Sequence, residues 1–122
     1  MTRPTRQEQA RAILERRGAR VASQILQRRA TNEADFEEAF TVERIDLISE
    51  IPDPEALLEL GRNVVGPRDD LYILDDGGHY RVYLQERGET HSEVVGATFD
   101  QARNAAIDRI IMIQGLPFTP VG

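Results

Sequence analysis

The sequence predicts an α+β fold: N-terminal α-helices, a three-stranded antiparallel β-meander, and a C-terminal α-helix packed on the sheet. Apolar residues recur at helical spacing in the first half of the chain and alternate with polar ones from Leu71 onward. Glycine-containing turns separate the alternating stretches, and a capping motif at Thr98 opens a final amphipathic stripe. We expect a single domain, because 122 residues is close to the commonest domain size.

Residues 1–30 are predicted to form a basic helical segment, with eight arginines against two glutamates. Residues 1–5 are expected to be frayed, with Pro4 just ahead of the first helical turn. The apolar spacing keeps helical phase through Gly18. This favours one helix to about Arg29 with a weak point at the glycine, and two helices broken at Gly18 are the alternative.

Residues 31–66 are predicted to form an acidic helical segment, with ten acids against one arginine in residues 31–60. Thr31 and Asn32 suit an N-cap, and Thr41 marks a break between two apolar stripes. Asp53 and Pro54 fit the cap and first position of a further helix. Its apolar face is expected to consist of Leu57, Leu58, Gly61 and Val64.

Residues 71–114 are predicted to form the meander and its covering helix. Strands at 71–74 and 79–86 flank a turn centred on Asp76–Gly78, which places Leu71 and Ile73 on the core face with Tyr80, Val82 and Leu84. A second turn at 87–89 leads to a third strand at 92–97, whose register the pattern leaves open.

The C-terminal helix is predicted to start at a capping box formed by Thr98 and Gln101. Its apolar stripe should cover the sheet, because a three-stranded meander is marginal without a second layer. Gly115 is well placed just past the helix end. Residues 115–122 form a proline-rich tail that we expect to pack in an extended form.

The sequence lacks the residues that several kinds of catalysis require. The sequence contains no cysteine, no glycine-flanked serine elbow and no phosphate-cradling loop. His79 and His91 are the only histidines, and they lack the spacing of a zinc motif. The adjacent carboxylates Asp69–Asp70 and Asp75–Asp76 would point to opposite faces of a strand. We therefore expect no enzyme activity, no cofactor and no bound metal.

Charge is distributed unevenly along the chain. The net charge is −6, made up of +6 in residues 1–30, −9 in residues 31–60 and −3 in the remainder. This polarity indicates either a charged partner or docking of the first segment on the second. All fifteen basic residues are arginine, which fits a GC-rich coding sequence or a surface built to pair with carboxylates.

The acidic segment suggests a surface that engages a basic partner, although an ordinary solvated helical face has the same composition. The candidate contact residues combine acids of this segment with the predicted exposed face of the sheet: Glu37, Glu38, Asp46, Glu50, Tyr72, Arg81 and Tyr83. The alternative function is a nucleic-acid-associated regulator that uses Arg16, Arg17 and Arg20. The acidic body and the acidic hairpin tip argue against nucleic acid as the partner.

The run LYILDDGGHYRVYLQERG at 71–88, followed by TFDQA at 98–102, resembles the meander and helix of small bacterial immunity proteins of polymorphic toxin systems. The resemblance covers about a third of the chain. It implies a cytoplasmic, non-catalytic inhibitor that binds one cognate toxin domain and blocks its active site. We expect no membrane span. The sequence leaves open whether the first helix packs on its own domain or on a second copy of the chain.

Overall fold

The computed structural model describes residues 3–121 and has the predicted order of elements. In chain order these are α1 (Arg6–Leu14), α2 (Gly18–Leu26), α3 (Glu33–Ala39), α4 (Arg44–Ser49), α5 (Pro54–Leu58), β1 (Asp70–Asp75), β2 (Tyr80–Glu86), β3 (Glu89–Ala97) and α6 (Phe99–Ile113). The chain divides into two compact units. We call Ile51–Arg109 the sheet unit, and the residues up to Glu50 together with those from Ile110 onward the helical unit.

Helix α1 begins at an ordered cap. The Thr5 hydroxyl accepts a hydrogen bond from the Glu8 N–H at 3.1 Å, and the Glu8 carboxylate accepts one from the Thr5 N–H at 2.9 Å. This reciprocal pair satisfies two donors at the helix start. The predicted fraying is therefore wrong at Thr5, and its part at Met1 and Thr2 lies outside the described residues.

The prediction of one continuous N-terminal helix is wrong. Helix α1 ends in a Schellman motif, in which the Arg16 N–H donates to Ile13 O at 3.0 Å and the Arg17 N–H donates to Ala12 O at 2.7 Å. Arg16 takes the left-handed conformation that this motif requires, with φ of 63°. The Gln114 side chain completes the junction by donating to Ile13 O at 2.8 Å and accepting from Gly18 N at 3.1 Å.

Helix α3 starts and ends where the sequence predicts. Asn32 accepts from the Asp35 N–H at 2.9 Å, which confirms the predicted cap of α3. Phe40 is extended, with ψ of 136°, so the helix ends just before Thr41. In the tail, Phe118 lies against Phe40 with ring centroids 5.6 Å apart.

The first hairpin of the sheet unit confirms the predicted turn and register. Gly77 and Gly78 form the two-residue turn with φ values of 73° and 94°, and the Asp76 N–H donates to His79 O at 2.7 Å. Leu71 pairs with Leu84 and Ile73 with Val82, so their side chains share the buried core face.

Strand β3 is longer than predicted and irregular. It begins at Glu89, immediately after a tight turn at Arg87 and Gly88. Its pairing with β2 shifts register twice, and Ser92 and Gly96 have positive φ values of 54° and 69°. These shifts indicate β-bulges, which bend the strand.

Helix α6 packs on the three-stranded antiparallel sheet, as the sequence predicts. The Thr98 hydroxyl accepts from the Gln101 N–H at 3.2 Å, and the Gln101 side chain accepts from the Thr98 N–H at 3.0 Å, which confirms the capping box. Within the sheet unit, Ala106 and Ile107 are fully buried. The Arg109 guanidinium donates to Ser92 O at 2.7 Å and so connects the helix to β3.

Candidate functional site

Two of the predicted contact acids, Asp46 and Glu50, pair with arginines of helix α1. Arg6 Nε lies 2.9 Å from Asp46 Oδ2, and Arg11 Nε lies 3.3 Å from Glu50 Oε1. Arg6 also pairs with Glu43 at 3.1 Å. The first helix therefore lies against α4 of its own chain, and these acids have much of their charge offset before any partner arrives.

A third predicted contact acid, Glu38, shares one arginine with Asp35. Arg28 lies 2.7 Å from Asp35 Oδ1 through Nη1 and 2.9 Å from Glu38 Oε2 through Nη2. Asp35 also accepts from the Thr31 N–H at 2.9 Å. This backbone hydrogen bond and the Arg28 guanidinium lower the pKa of Asp35 from 3.8 to about 2.

Asp35 should therefore add stability that depends on pH. Its pKa is lower in the folded chain than in the unfolded one, so the contribution is complete above about pH 5, fades as the pH falls, and is lost below about pH 2. Asp35→Asn should lower the urea midpoint at neutral pH, with an effect that shrinks on acidification. The exposed Asp69→Asn is the control, and an Asp35→Asn effect independent of pH would contradict the assignment.

Glu37 differs from the other three predicted acids. It is exposed in the last turn of α3, and within residues 3–121 it forms no ion pair. Helix α3 carries Glu33, Asp35, Glu37 and Glu38 and no basic residue. Arg28 offsets part of that charge, so the exposed side of α3 keeps an acidic excess centred on Glu37.

Several arginines of the basic segment are also paired with acids. Besides the arginines already described, Arg17 pairs with Glu15, and Arg16 is engaged in an interaction of its own. Arg20 and Arg29 are exposed and form no ion pair among the described residues. Of the three arginines expected to contact nucleic acid, only Arg20 remains unengaged.

The expectation that Tyr72 and Tyr83 lie on an exposed sheet face is wrong. Their side chains are only 0% and 2% exposed, and their rings stack with centroids 5.0 Å apart. The Tyr72 hydroxyl lies 3.0 Å from Gly66 O and 2.7 Å from Arg68 O. The loop before β1 therefore covers this face, which the alternation of residues in the strands could not reveal.

Arg81, the remaining predicted contact residue, is half-buried on the same face. Its guanidinium lies 4.7 Å from the Tyr83 ring centroid, and its Nε donates to Glu93 Oε2 at 2.6 Å. The two tyrosines are therefore too buried to contact a partner, whereas Arg81 stays partly exposed.

Arg81 also lines a groove of about 340 Å³ that the sequence does not predict. Val64 and Val65 are its apolar wall, with 73% and 68% of their surface exposed. The full lining is Asn63, Val64, Val65, Leu74, Asp75, Asp76 and Arg81. The prediction that Val64 belongs to a helix face is wrong, because α5 ends at Leu58. Gly66 and Pro67 directly follow Val65 in the sequence, and these typical turn residues were the signal for a loop.

Neither histidine is among the residues that line this groove. His91 Nε2 is 3.4 Å from Glu86 Oε2 near the second hairpin, and His79 is exposed at the first. Across residues 3–121, no three side chains of histidine, aspartate or glutamate are grouped so that they could hold a metal ion. Among the helices of the same residues, none has the length and apolar composition needed to cross a bilayer.

No protein-family model, curated protein or solved structure matches the chain. The resemblance of residues 71–102 to immunity proteins therefore stays a prediction.

Proposed function

We propose that this chain is a non-catalytic binding protein that neutralises a cognate bacterial toxin in the cytoplasm by covering the toxin's active site. The acidic face of α3, centred on Glu37, would contact a basic surface of the toxin. Of the predicted contact acids, the proposal rests on Glu37, because Glu38 is already paired with Arg28.

The observation that carries the proposal is the uncompensated charge of α3. Four of the seven residues of this helix are acids, and Arg28 is the one cation that pairs with them among the described residues. Glu33 and Glu37 are four positions apart, where like charges repel, and Glu37 lies near the helix end that disfavours negative charge. A basic partner would relieve this repulsion.

The pairing of Asp46 and Glu50 limits the surface. Acids already held by Arg6 and Arg11 would have to exchange one cation for another on binding, with little net gain. Glu37 has no such exchange to make. Steering by its charge should act mainly on the association rate.

Glu37→Arg tests the proposal. The chain is co-expressed with toxin domains encoded beside its gene, co-purified, and titrated by calorimetry. The variant should weaken binding on the order of tenfold, equal to about 1.4 kcal/mol, and should slow association more than it speeds dissociation. Wild-type affinity should fall as salt rises and the Debye length shrinks from about 30 Å to about 3 Å.

Glu59→Arg is the matched control, since Glu59 is an exposed glutamate at the C-terminal end of α5. Equal losses for the two variants would reduce the effect to total charge and remove α3 from the surface. Absence of any toxin that the chain binds and protects against would overturn the function itself. Retention of nucleic acid in a mobility-shift assay, lost when Arg20 is replaced, would favour the regulator instead.

A further inference from the structure

The two exposed valines of the groove are held in place by the sheet. At the start of their loop, the Arg62 N–H donates to Leu71 O at 2.9 Å, and Arg62 O accepts from the Ile73 N–H at 2.8 Å. At its end, Gln85 Nε2 donates to Gly66 O at 2.9 Å, the carbonyl that the Tyr72 hydroxyl also contacts. Val64 and Val65 lie between these anchors, so their exposure belongs to an anchored loop.

The lining of the groove also contains two carboxylates. Asp75 and Asp76 are both exposed at the end of β1. Asp75 accepts from the Gly78 N–H at 3.0 Å, whereas Asp76 has no side-chain partner within residues 3–121. The one cation in the lining, Arg81, pairs with Glu93 and stacks on Tyr83, so its charge is largely offset.

We propose that this groove receives a lysine or arginine side chain of the toxin, with the aliphatic stem on Val64 and Val65 and the charged head at Asp76. The inference rests on the proposed function, because it takes the occupant to be that protein partner. It adds a second contact, in the sheet unit, and it specifies the chemistry of the residue that fills it.

The chemistry of the walls favours this occupant over others. Lysine and arginine combine an apolar stem with a cationic head, and the lining of the groove combines exposed valines with carboxylates. An apolar side chain would remove Asp75 and Asp76 from water without giving them a hydrogen bond. An acidic side chain would meet two like charges.

The test uses two capped tripeptides, acetyl-Leu-Arg-Leu-amide and acetyl-Leu-Gln-Leu-amide, titrated into the ¹⁵N-labelled full chain. The arginine peptide should shift the amide signals of Val64, Val65 and Asp76 and saturate with a Kd of about 1 mM, typical of a single-side-chain contact. The glutamine peptide should bind at least about fivefold more weakly, which corresponds to loss of one charged contact.

Matched variants locate the contact. Asp76→Asn and Val65→Ser should each weaken binding of the arginine peptide severalfold. Asp69→Asn and Val95→Ser should leave it unchanged, since Asp69 is exposed, Val95 is 65% exposed, and neither lines the groove. All four substitutions are at exposed positions, and the amide spectrum of each variant checks that it remains folded.

The outcomes separate this inference from the proposed function. Equal binding of the two peptides, or equal losses for Asp76→Asn and Asp69→Asn, would overturn the groove contact. If the chain still binds a toxin and Glu37→Arg still weakens that binding, the proposed function survives such a result. If the arginine peptide binds as expected but no toxin does, the groove takes a cationic side chain and the toxin assignment fails.

Discussion

Replacing Gln9 by methionine should lower the free energy of unfolding by about 2–4 kcal/mol. Residue type alone would not indicate this, because Gln7 on the same helix is exposed. Gln9 is fully buried, and its Oε1 accepts from the N–H groups of Thr41 at 2.9 Å and Val42 at 3.0 Å. Methionine fills similar space but accepts neither hydrogen bond. Two backbone donors would lose their partner, and each such loss costs about 1–3 kcal/mol.

Urea denaturation measures this effect, with Gln7→Met as the control on the same helix. The control should change the free energy of unfolding by less than about 0.5 kcal/mol, as expected for a surface position. Gln9 Nε2 also donates to Pro4 O at 3.0 Å, so amide protons before α1 should exchange faster in the Gln9→Met variant. A loss no larger than that of the control would mean that water replaces the amide at little cost.

Tyr72→Ala should be the most destabilising change in the sheet unit, lowering the free energy of unfolding by about 3–5 kcal/mol. Tyr72 heads the fully buried side chains in volume among the described residues, and it stacks on Tyr83. Removing the ring leaves a cavity between the sheet and the loop that covers it.

Tyr72→Phe separates the ring from the hydroxyl. It should cost only about 0.5–1.5 kcal/mol, the value of a typical hydrogen bond, because packing on Tyr83 is kept. Both variants can be compared by urea denaturation. Equal losses would show that the contacts to Gly66 and Arg68 outweigh the burial of the ring.

The sequence predicted those parts of the fold that depend on neighbouring residues. The Gly77–Gly78 turn, the Thr98 cap and the Asp53–Pro54 helix start all rely on groups within four positions of each other. In these cases the residue that the local geometry requires lies close in sequence to the turn or helix end that it forms. The register of β1 with β2 then followed, because one face of the sheet had to be apolar.

Two of the features that the sequence did not predict depend on distant residues. Gln114 contributes to the break between α1 and α2 from 96 positions beyond Gly18, and helical phase through Gly18 gave no hint of it. The tyrosines alternate with core residues along their strands, as exposed residues do, yet the loop before β1 covers them.

The candidate site shows the same division. Composition identified the acidic segment. The separation of charge along the chain indicated that the first segment could dock on the second. Spacing could not tell which acids would meet Arg6, Arg11 and Arg28 and which would stay without a partner. The groove was missed because Val64 was assigned to a helix that ends before it.

The two outer strands of the sheet have a consequence for behaviour at high concentration. Arg62 occupies the outer edge of β1 opposite Tyr72. Bulges bend β3, and the exposed Glu89 places a negative charge at its start. An exposed flat strand is a template on which neighbouring molecules add strands and grow fibrils. Neither border of this sheet offers one, so the folded chain should resist aggregation through its β-structure even in crowded solution.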